Sequence, residues 1–238
     1  MKKIINNCLI YAVLLVMLFS FYKVTIKHYH EKEEKKKVSF ISEIYEETEE
    51  ENNFLDYYRK LYSNDDIVGI LKIESIGIDT LLVQGVDNDF YLKHLITKEP
   101  SNLGAVFVDY RTKLDESKQI NIYGHNSKKV DIPFRFLEKY LDKKTYEENK
   151  YITLITQRGI SIYEIFSVNI VRDDKEHMSI DYETRLEWGS HFNRLRKGSL
   201  YETDTVVDGD DEILVMQTCL NNNPKGNLLI LNSRKEKN

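Results

Sequence analysis

The sequence predicts a mainly β domain, a barrel or a sandwich, carried on one N-terminal transmembrane helix. Eight short runs rich in Val, Ile, Leu and Tyr follow one another from Ile67, mostly separated by Gly, Asp, Asn or Lys-rich breaks, and one long apolar stretch lies near the start. With 238 residues, 41% of them hydrophobic, the chain can bury one substantial core and carry an appendage. Its 39 acidic and 34 basic side chains leave a formal charge of -5, without the basic footprint that a general nucleic-acid binder needs. No nucleic acid is expected as a partner.

The first element is the anchor. Between Ile4 and Tyr22 only Asn6, Asn7 and Ser20 are polar, and Lys2, Lys3 and Lys23 bracket the stretch. As a helix it spans roughly 28 Å at about 1.5 Å per residue, close to the thickness of a hydrocarbon core. A charged segment follows it in place of a small-residue cleavage site, so a retained single-pass anchor in the cell membrane fits better than a signal peptide. Lys2, Lys3 and the amino terminus put the N-terminus in the cytoplasm and the remainder outside the cell. Residues 1-27 are therefore assigned to the anchor, 28-64 to a charged stalk and helix, and 65-238 to the β domain.

Within the stalk, Phe54, Leu55, Tyr58 and Leu61 fall near helical spacing and predict a helix around 50 to 62 that docks on the domain. His28, His30 and Glu31 read as a solvated linker and not as metal ligands. The strands follow as "IVGILKI", "IDTLLVQG", "GAVFVDY", "QINIYG", "YITLIT", "ISIYEIFSVNIV", "EILVMQ" and "NLLILNS". "TQRGIS" predicts a tight hairpin turn with Gly159 at positive φ. Apolar residues recurring at three and four predict helical interruptions in "NDFYLKHLI", "IPFRFLEKYLDKKTYEENK" and "DYETRLEWGSHFNRLRKGS".

Cysteine usage raises the question of chemistry. Cys8 lies in the anchor, so Cys219 is the one cysteine of the exported part and has no disulfide partner there. A lone thiol in an oxidising compartment is either a small core residue or a nucleophile. A nucleophilic thiol needs a group that draws off its proton and returns one to a leaving amine, and histidine suits both tasks. His94, His177 and His191 lie in or beside predicted helices, as surface or half-buried residues. His125 directly follows the strand "QINIY" in "NIYGHN", where Gly124 allows a sharp exit from the strand and presents the imidazole at the rim. Cys219 ends a strand in the same way.

The stretches "VGILKIESIGIDTLLVQGVDNDFYLKH", "GAVFVDYR", "NIYGHN" and the late "QTC" resemble, in order, a class B sortase over roughly residues 65 to 233. The resemblance implies an eight-stranded sortase-type β-barrel with an N-terminal helix and peripheral helices, one of them before the strand carrying the nucleophile. It implies a membrane-anchored cysteine transpeptidase of Gram-positive bacteria that needs no cofactor and no metal. Cys219 would attack the carbonyl of a threonine in the C-terminal sorting signal of a secreted surface protein, and His125 would protonate the leaving amine. A peptidoglycan precursor amine would then resolve the thioester. Asn88, Leu92, Tyr123 and Thr218 are expected along the sorting-peptide groove.

The chain departs from that family's pattern at several positions. Asn227 stands where an arginine normally opens the strand after the nucleophile, and it carries no charge. Loss of one oxyanion donor typically costs about 2.7 to 4 kcal/mol, roughly a hundred- to a thousandfold in rate. Arg234 lies seven residues on, roughly 23 Å along the strand at about 3.3 Å per residue, and Lys225 sits in the intervening loop. Gln217 replaces a small serine, and the loop before the Trp188 helix offers His177 and Met178 to the peptide in place of a tyrosine and an aliphatic residue. Two other readings stand beside the enzyme. One is a weak or inactive sortase-fold protein that binds sorting peptides or an active partner, and the other is a β-rich ectodomain with an inert buried thiol.

Overall fold

A computed structural model describes residues 15, 17–25, 54–114, 116–172, 179, 182–221 and 226–237. Of the predicted anchor, Leu15 and residues 17–22 are described, and they are helical. The rest of it, and the stalk up to residue 53, lie outside the described residues. Among the described residues no helix is long and apolar enough to cross a membrane. The unit that holds the β structure runs from Leu55 to Asn238.

Its first element, helix α1 (Phe54–Tyr62), lies inside the predicted range and buries Leu55. Arg59 ties it to the sheet by donating from Nε to the Ile67 carbonyl at 2.9 Å. Eight strands follow: β1 (Ile67–Ile73), β2 (Ile78–Val83), β3 (Phe107–Val108), β4 (Gln119–Tyr123), β5 (Tyr151–Thr156), β6 (Gly159–Arg172), β7 (Ile213–Cys219) and β8 (Asn227–Lys235). They close into a barrel in the order β1-β2-β3-β4-β7-β8-β6-β5. Neighbours are antiparallel except for the parallel pairs β2/β3 and β4/β7. The β5–β6 hairpin turns at Gln157 and Arg158, and Gly159 has φ +100° as expected.

The apolar runs are nearly continuous because several strands are covered on both faces. Along β7, Leu214 and Met216 point into the barrel, while Ile213 and Val215 pack outward. Leu229 and Leu231 of β8 likewise face inward, and Ile230 faces outward. The outer layer is helix α3 (Arg185–Lys197), which contributes Trp188, Phe192 and Leu195. Thr184 caps it: its hydroxyl accepts from the Glu187 N–H while the Glu187 carboxylate accepts from the Thr184 N–H, so two otherwise unpartnered donors are satisfied.

The other predicted interruptions are tighter than expected. "NDFYLKHLI" forms only a 3-10 turn at Phe90–Leu92. "IPFRFLEKYLDKKTYEENK" divides into a 3-10 helix (Pro133–Leu141) and the short helix α2 (Lys143–Glu148), whose N-cap is Asp142. In "GAVFVDY" only Phe107 and Val108 join the sheet, between β2 on the parallel side and β4 on the antiparallel side.

Candidate active site

Strands β4 and β7 run side by side and in the same direction, with Tyr123 opposite Gln217. His125 and Cys219 each lie two residues beyond that rung, so the two side chains leave neighbouring strand ends about 4.8 Å apart in the hydrogen-bonding direction. Three contacts keep the exits together. The Gly124 N–H donates to the Gln217 carbonyl at 3.3 Å, the Thr218 hydroxyl to the Gly124 carbonyl at 2.8 Å, and the Asn126 amide to the Cys219 carbonyl at 2.8 Å. The sheet has thus brought together groups nearly a hundred residues apart.

Gly124 contributes differently from the expectation. Its φ is not positive; a Cβ there would come within 2.8 Å of the Phe134 ring, so glycine is needed for close approach and not for a turn. Gly104 fills the positive-φ role instead, at φ +61°, where a Cβ would meet the Tyr91 carbonyl at 2.6 Å and His125 Cδ2 at 3.0 Å. On the same edge of the ring, the adjacent Nε2 of His125 lies 2.8 Å from the Leu92 carbonyl. A carbonyl only accepts, so Nε2 carries a proton and Nδ1 is the nitrogen left for proton exchange.

Cys219 is exposed and opens on a cavity of about 380 Å³. Every described substrate position expected from the sequence shares that lining: Asn88, Leu92, Tyr123, Gln217 and Thr218, together with His125. His177 and Met178 lie outside the described residues, as does Lys225. The exposed thiol overturns the reading of an inert, buried cysteine.

Asn227 begins β8, and its carbonyl accepts from the Leu220 N–H at 3.1 Å. The β8 side chain on the cavity is that of Leu228, which pairs with Cys219. Arg234 is opposite Ile213 at the other end of the strand pair, with its guanidinium on Glu164 at 3.3 Å. Among the described residues the cavity lining therefore holds no lysine or arginine.

Beneath the cavity lies a network that the sequence did not single out. Asp109 is fully buried, pairs with Arg111 at 2.7 Å, and accepts from the Tyr123 hydroxyl at 2.9 Å and the Asn88 amide at 3.1 Å. Burial pushes the Asp109 carboxyl up, but the Arg111, Tyr123 and Asn88 hydrogen bonds outweigh it and hold the carboxyl below its usual range. Burial and the Asp109 charge raise the Tyr123 phenol far above its ordinary value, so it stays a donor. Asn88 is fixed from both ends, since its Oδ1 accepts from the Tyr110 N–H at 3.1 Å. In the sequence Asp109 sits in "VDYR" and looks like a surface charge after a strand. The only available signal was its place inside a motif of the resemblance.

A second network holds the main chain at Cys219. Asn126, which donates to the Cys219 carbonyl, accepts from the Asn221 amide at 2.6 Å. Glu138, on the 3-10 helix, accepts from the Asn221 N–H at 2.6 Å and from its amide at 3.3 Å. Asn126 was legible as the last letter of "YGHN"; Glu138 carries no local signal.

Comparison with known proteins agrees with this architecture. The sortase domain family matches residues 71–234. Sortase B of Listeria monocytogenes is 30% identical over 226 residues, covering 92% of this chain and 91% of that protein. Sortase B of Staphylococcus aureus is 23% identical at the same coverages. The X-ray structure of Clostridium perfringens sortase B superposes with a TM-score of 0.72 at 28% identity, covering 76% of this chain and all of the other. The closed barrel, the motifs it joins at one rim and these relatives agree: the chain belongs to the sortase family and groups there with the class B sortases.

Proposed function

We propose that the protein is a cysteine transpeptidase that links secreted surface proteins to the cell wall, with Cys219 as nucleophile and His125 as acid and base. The carrying observation is the meeting of an exposed thiol and a half-buried imidazole at the ends of adjacent parallel strands, on one cavity. The thiolate adds to the carbonyl of a threonine in the sorting signal. His125 gives its proton to the departing amine, leaving a thioester on Sγ. An amine of a peptidoglycan precursor then adds to the thioester, its proton passes to His125, and the thiolate leaves. Asn88, Leu92, Tyr123, Thr218 and Gln217 line the sorting-peptide groove, with His177 and Met178 completing it. Gln217 stands on the same face of β7 as Cys219, and its neutral amide is a donor for the developing oxyanion where the family arginine is replaced by Asn227. Residues 4–22 anchor the enzyme in the cell membrane with the barrel outside.

The test incubates the full-length chain with a panel of threonine-containing sorting peptides and follows intact mass. A hydroxylamine-labile adduct on Cys219, absent in Cys219→Ala and weak in His125→Ala, is expected. A chain that binds these peptides yet never acylates would overturn the reading.

Asn227 in the arginine position, with Leu228 as the β8 side chain beside Cys219, favours a second reading, a sortase-fold protein that holds sorting peptides or an active partner without turning them over. Leu228→Arg, which puts a guanidinium on the cavity beside Cys219, separates the two. A gain of roughly a hundredfold in peptide cleavage marks an enzyme short of one donor. Unchanged, undetectable cleavage with intact peptide binding marks a binder.

A further inference from the structure

One element outside the sheet touches both of the strand exits that carry the proposed chemistry. The 3-10 helix Pro133–Leu141 buries Phe134, Leu137 and Tyr140 in the barrel core. It is tied down further by the Lys139 ammonium, which donates to the Ile76 carbonyl at 2.9 Å, and by the Tyr140 hydroxyl, which donates to the Asn149 carbonyl at 2.7 Å. Phe134 packs under Gly124, the residue before His125, so closely that a Cβ on Gly124 would come within 2.8 Å of its ring. Four residues on, the half-buried Glu138 reaches the other exit and accepts from Asn221, two residues past Cys219.

Each hydrogen bond between Glu138 and Cys219 has a direction. A carboxylate only accepts, so Asn221 turns its amide nitrogen to Glu138, with Nδ2 3.3 Å from Oε2 and the main-chain N–H 2.6 Å from Oε1. The same Nδ2 has a second hydrogen, which goes to Asn126 Oδ1 at 2.6 Å. With its oxygen committed, Asn126 presents its own nitrogen to the Cys219 carbonyl at 2.8 Å, and that carbonyl also only accepts. We propose that Glu138 is a positioning residue for Cys219: an acceptor-only group on a rigid element fixes the direction of two asparagine amides and so delivers an N–H to the carbonyl of the thiol-bearing residue. The inference rests on the transpeptidase reading for its effect on rate. Polarity at this position matters more than bulk. Glu138→Gln keeps the shape, but with its oxygen on the Asn221 main-chain N–H it sets an NH2 group against the Asn221 amide nitrogen. Turning both asparagines over would relieve that conflict and bring Asn126 Oδ1 against the Cys219 carbonyl oxygen, so the relay is no longer satisfied at both ends.

The experiment uses the full-length chain and a sorting peptide that forms the Cys219 adduct. Acylation is read as the rate of adduct formation, and the Cys219 carbonyl by NMR after labelling the cysteine carbonyls with carbon-13, the Cys8 signal being the one that survives in Cys219→Ala. Glu138→Gln is expected to slow acylation by about fivefold at unchanged peptide KM, as for the loss of one neutral hydrogen bond. Asn126→Ala removes the same final contact, so the double variant should be no slower than either single one, whereas independent effects would multiply to about 25-fold. Asn221→Ala, which cuts the relay between them, should match the single variants. In all of these the Cys219 carbonyl signal should move upfield. Wild-type acylation in Glu138→Gln, losses that multiply in the double variant, a change confined to peptide KM, or a carbonyl signal that stays in place would each overturn the relay. If no peptide acylates wild type, the transpeptidase reading itself fails, and the carbonyl signal alone then decides whether Glu138 orders the main chain at Cys219.

Discussion

The two ends of strand β4 each bring a histidine into a polar contact, with opposite results. At the start of the strand, His191 of α3 is fully buried and uses both ring nitrogens, Nε2 with Gln119 at 3.1 Å and Nδ1 with the Tyr182 hydroxyl at 3.0 Å. Just past the other end, His125 is half-buried, with Nε2 on the Leu92 carbonyl, and shares a cavity with an exposed thiol. The same side chain is a structural crosslink where both nitrogens are engaged, and has the capacity proposed for a proton carrier where only one is. Neither the expected surface setting nor the half-buried one holds for His191.

The sharpest way to break this comparison is His125→Ala. It should lower the acylation rate by roughly a hundred- to ten-thousandfold with little change in thermal midpoint, as read by adduct formation and thermal unfolding. A comparable loss of stability would place His125 with His191. Next comes Asp109→Ala, which removes the acceptor shared by Arg111, Tyr123 and Asn88. It should destabilise the barrel by about 2 to 4 kcal/mol in denaturant unfolding. Because the folded Asp109 carboxyl is held below its ordinary range, the stability it contributes is present above about pH 4 and is lost as pH falls through its folded value. Asp109→Asn should flatten that acid limb of the unfolding profile.

His191→Ala should cost roughly 1 to 3 kcal/mol of stability, from the lost contacts to Gln119 and the Tyr182 hydroxyl, while the folded fraction keeps its acylation rate. The smallest effect is expected from Asn126→Ala. Loss of one bond to the Cys219 carbonyl, worth about 1 kcal/mol, should slow acylation about fivefold at unchanged peptide KM. Asn126→Asp cannot donate from that position and should behave alike, whereas a drop in peptide affinity would show that Asn126 touches substrate.

The strands were legible because covering a strand on both faces demands runs such as "EILVMQ" and "NLLILNS", and these survive in a single sequence without any alternation. What alternation cannot carry is which strands pair. The parallel β4/β7 contact follows from barrel closure and not from any residue in either strand, so the meeting of His125 and Cys219 rested on the family resemblance. Gly124 was legible as a needed glycine but for the wrong physical reason, since the Phe134 ring comes from a segment read only as a helix. Asp109, Gly104 and Glu138 act across long separations, and each looks ordinary in its own neighbourhood. The face of β8 was also hidden: the sequence points at Asn227, while the pairing puts Leu228 beside Cys219.

The parallel seam between β4 and β7 also has a kinetic meaning. Asn126 and Cys219 are 93 residues apart in the chain, so their contact is among the longest loop closures the barrel must make. A growing or partly folded chain can hold the thiol, or the imidazole, but not the pair. The proposed acyl transfer therefore requires completion of the fold, and the return of thioester formation during refolding would serve as a clock for the closing of the barrel.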